Sequence, residues 1–123
     1  MIAKKNVKKI KSTEVNSIKI ERYYEALGGR KTAHARVRLF NKDIGIKVNE
    51  KDYKEYFKVP KFQSMVEAPL ELMKVIDRMG ATVRVSGGGI KAQAEAVRHG
   101  LSKALVLFNE TYRKRLRQYD YMK

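Results

Sequence analysis

Apolar and polar residues alternate cleanly from Ala33 to Phe40. Ala33, Ala35, Val37 and Leu39 fall on one side of a strand; His34, Arg36, Arg38 and Phe40 fall on the other. Period two with one polar face predicts a strand half-buried on a core. Beyond the turn residues Asn41-Lys42-Asp43, Ile44, Ile46 and Val48 alternate with Gly45 and Lys47, which predicts a hairpin of these two strands. Another strand is predicted from Ile20 to Ala26, closed by a bend at Leu27-Gly28-Gly29-Arg30-Lys31. In a fourth, Ala81, Val83 and Val85 oppose Thr82, Arg84 and Ser86.

Helical spacing fills the remainder. Asn49 is predicted to cap a short helix through Phe57, with Asp52 in its first turn and Tyr53, Tyr56 and Phe57 as its aromatic side. Val59-Pro60 breaks it, and residues 61–66 fit a further helical turn or two. Pro69 suits the first turn of a helix carrying Leu70, Met73 and Ile76, or Leu72, Val75 and Ile76, inward, with Gly80 as its stop. The longest helix follows Gly87-Gly88-Gly89. Its apolar stripe is Ile90, Ala94, Val97, Leu101, Ala104, Leu105 and Phe108, while Lys91, Glu95, Arg98, His99, Ser102 and Lys103 lie away from it. Gly100 inside this helix costs about 1 kcal/mol relative to alanine and calls for a close backbone approach. Asn109 is predicted to cap a final short helix bearing Arg113, Lys114, Arg115 and Arg117. The fold class is α+β: a single domain over residues 20–123, with a mixed sheet packed on helices. Residues 1–19 form a lysine-rich arm, expected to be disordered until it meets phosphate.

Charge changes the picture. The chain has 28 Lys+Arg against 13 Asp+Glu, a net of +15 on 123 residues. His34, Arg36, Arg38, Lys47 and Arg84 fall on the non-core face of three strands, with no acid among those strand positions. Such a face is an electrostatic footprint for RNA or DNA. The N-terminal lysines lack both the apolar run of a secretory signal and the bulky apolar face of a membrane helix. No apolar run approaches the ~20 residues that cross a bilayer. With no cysteine there is neither a disulfide nor a thiolate metal site. His34 and His99, without clustered acids, make a poor metal site.

The three glycines strip side chains from a strand-to-helix turn, where backbone N–H groups can approach an anion. A tight strand–helix connection needs glycine for packing as well. A phosphate- or nucleotide-binding enzyme is the alternative reading of this turn. It lacks a following Gly-Lys-Ser/Thr and the spaced G-x-G-x-x-G pattern. Glu95 is the only acid of the helix, and it stands at ion-pair spacing from Lys91 and Arg98. No catalytic residue and no cofactor are expected. Tyr53, Tyr56 and Phe57 suit core packing better than base stacking, Met65, Met73 and Met79 suit core filling, and His99, on the solvent side of its helix, reads as a phosphate or ribose contact or as no contact at all.

Gly87-Gly88-Gly89-Ile90-Lys91-Ala92-Gln93-Ala94-Glu95-Ala96-Val97-Arg98-His99-Gly100-Leu101-Ser102-Lys103-Ala104-Leu105 resembles the signature of the family of small ribosomal subunit protein nine. Gly28-Gly29-Arg30-Lys31-Thr32-Ala33-His34-Ala35-Arg36-Val37-Arg38 resembles its N-terminal motif, and Val48-Asn49 and Pro69-Leu70 are similar as well. The resemblance spans roughly residues 23 to 119. It implies a ribosomal protein S-five domain-two-like fold with a βαβ crossover of unusual left hand. It also implies a cytoplasmic, ribosome-bound structural protein that binds small-subunit ribosomal RNA in the subunit head, with neighbouring small-subunit ribosomal proteins as partners. RNA contacts are expected from Arg30, Lys31, Arg36 and Arg38. A second group is Gly87, Gly88, Gly89, Lys91, Gln93, Arg98, His99 and Lys103, and a third is Arg113, Lys114, Arg115 and Arg117. Two departures stand out. The family usually has Gly-Arg-Arg-Lys where this chain has Gly28-Gly29-Arg30-Lys31. The family's long basic tail, which reaches transfer RNA, would begin about at Lys123, so that partner is expected only if a tail follows.

Overall fold

The computed structural model describes residues 22–119, 121 and 122; the expected arm over residues 1–19 lies outside the described residues, as does the start of the strand expected from Ile20. Strand β1 (Tyr23–Arg30) pairs antiparallel with β2 (Ala33–Phe40) in a register from Tyr23 opposite Phe40 to Arg30 opposite Ala33. The two-residue loop between them carries Lys31 at a φ of 56°, the positive value that primed hairpin turns require. The bend expected at Gly28-Gly29 is therefore corrected: both glycines lie within β1.

The hairpin expected between β2 and β3 (Ile46–Val48) is also corrected. Strand β5 (Gly80–Ser86) inserts between them, antiparallel to β2 and parallel to β3. The reason is burial. In this order Ala35 faces Val85, Val37 faces Val83 and Leu39 faces Ala81, while Val48 faces Val83 from the other side. These apolar residues then form one continuous buried layer. Local turn signals cannot show a strand that arrives 40 or so positions later.

Asn49 is not the expected helix cap. Asn49 and Glu50, at φ of 49° and 72°, form the tight turn that brings β4 (Lys51–Asp52) back along β3. The Asn49 side chain then continues the sheet: its Nδ2 donates to the Val85 carbonyl and its Oδ1 accepts from the Val85 N–H, both at 2.9 Å. Asp52 caps α1 (Tyr53–Tyr56), accepting from the Lys54 N–H at 3.1 Å. The aromatic side packs inward as expected. Phe57 is fully buried, Tyr53 donates to Glu67, and Tyr56 donates to Gln93 at 2.6 Å.

Helix α2 (Pro60–Leu72) is one element, with Pro60 opening it and Pro69 inside it, not at its start as expected. It buries Val66, Pro69 and Leu70 and stops three residues after Pro69. The stop is a Schellman motif centred on Lys74 at φ 59°: the Lys74 N–H reaches the Glu71 carbonyl and the Val75 N–H reaches the Leu70 carbonyl. Gly80, expected to end this helix, begins β5.

Helix α3 (Ile90–Phe108) buries Ala94, Val97, Leu101, Ala104 and Leu105 as its stripe predicts. Ile90 departs from that stripe and is 46% exposed. Ser102 departs the other way: it is buried, and its hydroxyl is satisfied by the Arg98 carbonyl at 2.8 Å. Phe108 meets Tyr24 edge-on at 5.6 Å. Ahead of α4 (Tyr112–Gln118), Asn109 accepts from the Thr111 N–H and hydroxyl, and Leu116 anchors the helix to the core. The result is the expected α+β domain, with a mixed five-stranded sheet carrying helices on its apolar face and leaving the other open.

Candidate nucleic-acid interface

The open sheet face is set by period two. On it, Arg36 of β2 stands directly opposite Arg84 of β5, a like-charge pair that disfavours pairing unless neighbours offset it. Two carboxylates do so. Glu25 of β1 accepts from the Arg38 Nε–H at 3.1 Å and lies 3.9 Å from Arg36 Nε. Glu50, from the β3–β4 turn, accepts from Arg84 at 3.2 Å. Neither carboxylate comes from the three strands whose polar positions carry His34, Arg36, Arg38, Lys47 and Arg84, so the face as a whole is less uniformly positive than those strands alone. A groove of about 540 Å³ opens among Arg36, Arg38, Lys47, Glu50, Thr82 and Arg84. At its rim the Arg38 guanidinium lies 5.0 Å from the centre of the Tyr23 ring, which leans on Phe40 at 5.3 Å.

The glycine turn forms a second cluster. Gly87 and Gly88 take φ of +81° and +64°. A Cβ on Gly87 would sit 2.3 Å from the Thr32 carbonyl oxygen, and one on Gly88 would sit 3.2 Å from the Ala33 Cβ. The fold itself therefore requires both glycines. Gly89 differs: it is extended, and nothing lies within 4 Å of a Cβ placed there. The close approach of Gly87 to Thr32 brings the β1–β2 loop, with Arg30 and Lys31, beside the start of α3 with Lys91. Sequence motifs more than 50 residues apart thus meet in space, with their basic residues on adjoining segments. Glu95 reaches across to Arg30 at 3.0 Å instead of pairing along its own helix with Lys91 or Arg98. The Arg30 side chain stays 55% exposed, so its charge is oriented and still available.

Two expected contacts are committed inward. Gln93 donates to the Gly87 carbonyl at 3.0 Å and accepts from Tyr56, so it holds the turn from beneath. His99 is not on the solvent side. Its Nδ1 accepts from the Gly29 N–H at 3.2 Å, and its Nε2 lies 3.2 Å from the Met122 carbonyl. Both contacts are met by the neutral ring with the proton on Nε2. Burial, then the nearby Lys103 charge, push its pKa below the ordinary histidine value.

The third group is at the C-terminal end. Arg98 lies over the Tyr121 ring at 4.7 Å, and Lys103 shares a groove with Glu25, Leu27, Arg113 and Met122. Arg113 makes a forked pair with Glu110, whereas Lys114, Arg115 and Arg117 are exposed. Among the described residues, no group of three or more His, Asp or Glu side chains could hold a metal. No helix there is long and apolar enough to cross a membrane.

A family model described as ribosomal protein S9/S16 matches residues 28–123. The chain belongs to this family. It is a ribosomal protein, a structural constituent and not an enzyme, and the alternative reading of the glycine turn falls away. The "small ribosomal subunit protein uS9" of Desulfovibrio desulfuricans is 39% identical over 102 residues, covering 83% of this chain and 78% of that protein. The uS9 of Cytophaga hutchinsonii is 44% identical over 93 residues, covering 76% and 73%. That of Lawsonia intracellularis is 40% identical over 97 residues, covering 79% and 75%. The resemblance carried by the two glycine-containing motifs is borne out. Its register also exposes two residues that pattern reading missed. Glu25 could have been found from its alternation with Ala26, whereas Glu50 carries no local signal.

Proposed function

We propose that this chain acts in the small ribosomal subunit by binding ribosomal RNA and neutralising phosphate where RNA segments meet, in contact with neighbouring ribosomal proteins. Membership in the ribosomal protein S9/S16 family supports this reading and places the activity on cytoplasmic ribosomes. The observation that carries the mechanism is the packing of the β1–β2 loop against the glycine turn. It brings the loop that carries Arg30 and Lys31 to the turn that opens the Lys91 helix, where the Gly89 backbone is open. Phosphate is the natural counter-charge for these basic residues.

The open sheet face, with Arg36 and Arg38, adds a second contact surface, and Lys114, Arg115 and Arg117 add a third. Arg98 and Arg113 have their charges partly satisfied by Tyr121 and Glu110, and Lys103 shares a groove with Glu25 and Arg113. Gln93 and His99 serve by positioning, and so do Gly87 and Gly88. The lysines of residues 1–19 join the same charge-driven binding. We assign transfer-RNA contact to none of the residues from Arg22 to Met122; it belongs to any tail that follows Lys123.

Gly89→Val tests the carrying observation. It adds a side chain in open space on an extended backbone; because Gly89 is the N-cap of α3, where valine is poorer than glycine, the variant should stay folded with a loss of no more than about 1 kcal/mol. Affinity for small-subunit ribosomal RNA should fall roughly tenfold if the Gly89 backbone approaches a phosphate, because the added side chain holds the phosphate off. Unchanged affinity in a folded variant refutes the backbone contact.

A further inference from the structure

The open sheet face holds more negative charge than affinity for RNA requires. Glu25 and Glu50 each touch an arginine that a phosphate could use. Along Glu25, Arg36, Arg84 and Glu50 the signs run minus, plus, plus, minus across the sheet. With Arg38 and Lys47, four cations stand against two carboxylates, which leaves +2 at the groove.

The placement of the carboxylates matters more than their number. Arg36 and Arg84 repel one another across the β2–β5 pair. Glu25 draws Arg36 and Arg38 toward β1, and Glu50 draws Arg84 toward the opposite rim. The two carboxylates thus pull the guanidiniums toward opposite rims, and beside them Thr82 lies between Arg38 and Lys47 on the floor of the groove. A phosphate entering the middle meets cations from both sides. A phosphate falling on either rim meets a carboxylate. Glu25 is 18% exposed and serves two arginines, while Glu50 is 78% exposed and serves Arg84.

We propose that Glu25 and Glu50 are specificity-determining residues of RNA binding. They fix the guanidinium spacing so that the groove accepts one phosphodiester of the RNA backbone, and they repel RNA whose phosphates fall elsewhere on the face. The inference rests on the reading that the chain binds ribosomal RNA. A single like charge about 4 Å from a phosphate changes affinity roughly fivefold in water, and less as salt rises.

The test compares the full chain with Glu50→Gln, Glu25→Gln and the double variant Arg36→Gln/Arg84→Gln. Each is titrated with small-subunit ribosomal RNA and with an unrelated structured RNA of equal length. Glu50→Gln should bind the unrelated RNA roughly fivefold more tightly without gaining on ribosomal RNA, so the ratio of the two affinities falls. Glu25→Gln should do the same, more strongly. Thermal melting establishes whether Glu25→Gln stays folded; if it does not, the exposed Glu50 decides alone. Equal shifts on both RNAs, or none, overturn the proposal. Arg36→Gln/Arg84→Gln should lose at least tenfold on ribosomal RNA. If it loses nothing while wild type binds tightly, RNA docks elsewhere and the proposal fails although RNA binding stands. If wild type itself does not distinguish the two RNAs, the underlying reading fails.

Discussion

Gly28→Ala should be the most damaging alanine substitution on β1. Its backbone is ordinary strand, so alanine itself is acceptable there and would gain about 0.4–1 kcal/mol by restricting the unfolded chain. The opposing cost comes from α3. The new Cβ would lie 2.2 Å from the Ala96 carbonyl oxygen, 2.4 Å from the Gly100 nitrogen and 2.8 Å from the Gly100 Cα. All three are backbone atoms, so no rotamer change relieves the clash. Contacts of this kind relax near 3.5 Å, which requires the helix to retreat by roughly 1 Å along its contact with β1 and β2. Overpacking typically costs 1–3 kcal/mol, and this site belongs at or above the upper end. The net loss should be about 2–3 kcal/mol, a large share of the roughly 5–15 kcal/mol that holds a domain together. Gly100→Ala makes the comparison informative. Its Cβ would meet the Val37 Cγ2 at 2.6 Å, a buried β-branched side chain that gives little, but its nearest backbone neighbour, the Gly28 nitrogen, is at 3.3 Å, and alanine in a helix returns about 1 kcal/mol. Its loss should be about 1–2 kcal/mol. Urea unfolding of both variants, followed by far-UV circular dichroism, measures the order. If Gly28→Ala loses less than Gly100→Ala, or stays within about 0.5 kcal/mol of wild type, the close backbone contact is not what fixes β1 to α3.

Two further outcomes are expected. His99 has a pKa below its ordinary 6.5 in the folded chain, so the unfolded state binds more protons as pH falls through that value. Its contribution is complete above about pH 6.5 and is lost as pH falls toward the depressed folded value; thermal melts from pH 8 to 5 should show this slope, and His99→Gln should remove that part of it. Gly29→Arg should be tolerated, since its Cβ meets nothing closer than 3.6 Å, and it should tighten RNA binding and steepen the log–log salt dependence by about 0.7–0.9; an unchanged slope would show that position 29 lies away from phosphate.

Much of the fold was legible because burial in a sheet has period two. The faces of β2 and β5 followed directly, and so did most of the α3 stripe. Strand order did not follow. Ala81, Val83 and Val85 can cover either neighbour of a sheet equally well, and their insertion between β2 and β3 depends on the whole apolar layer. Asn49 illustrates a different limit. A residue that caps helices also tolerates positive φ and can mimic a peptide, and here it does the last two. Pro69 sits late in its helix against its local preference: it forfeits one N–H bond, a loss that burial of Val66 and Leu70 beside it can offset.

The site was legible as charge but not as arrangement. Alternation assigns Arg36, Arg38 and Arg84 to one face; only register says what stands opposite them. A one-residue slip of β1 on β2 would turn Glu25 toward the helices, and the face would lose its inner carboxylate. The Lys31-Thr32 loop fixes that register, so a short loop decides whether the surface is uniformly positive or alternates in sign. The inward turn of His99 escapes the pattern for a related reason. A helical wheel measures distance from the apolar stripe, not nearness to a particular strand. Gly100 was the clue: a glycine that lets a helix touch a strand also carries its neighbours to that strand's edge. Ala96, one turn earlier, meets Gly28 through its carbonyl, and His99, one residue earlier, reaches the Gly29 N–H. The same contact that costs the helix an alanine therefore brings a histidine to the edge strand, where its ring caps an N–H and reaches the Met122 carbonyl beside the C-terminal basic helix.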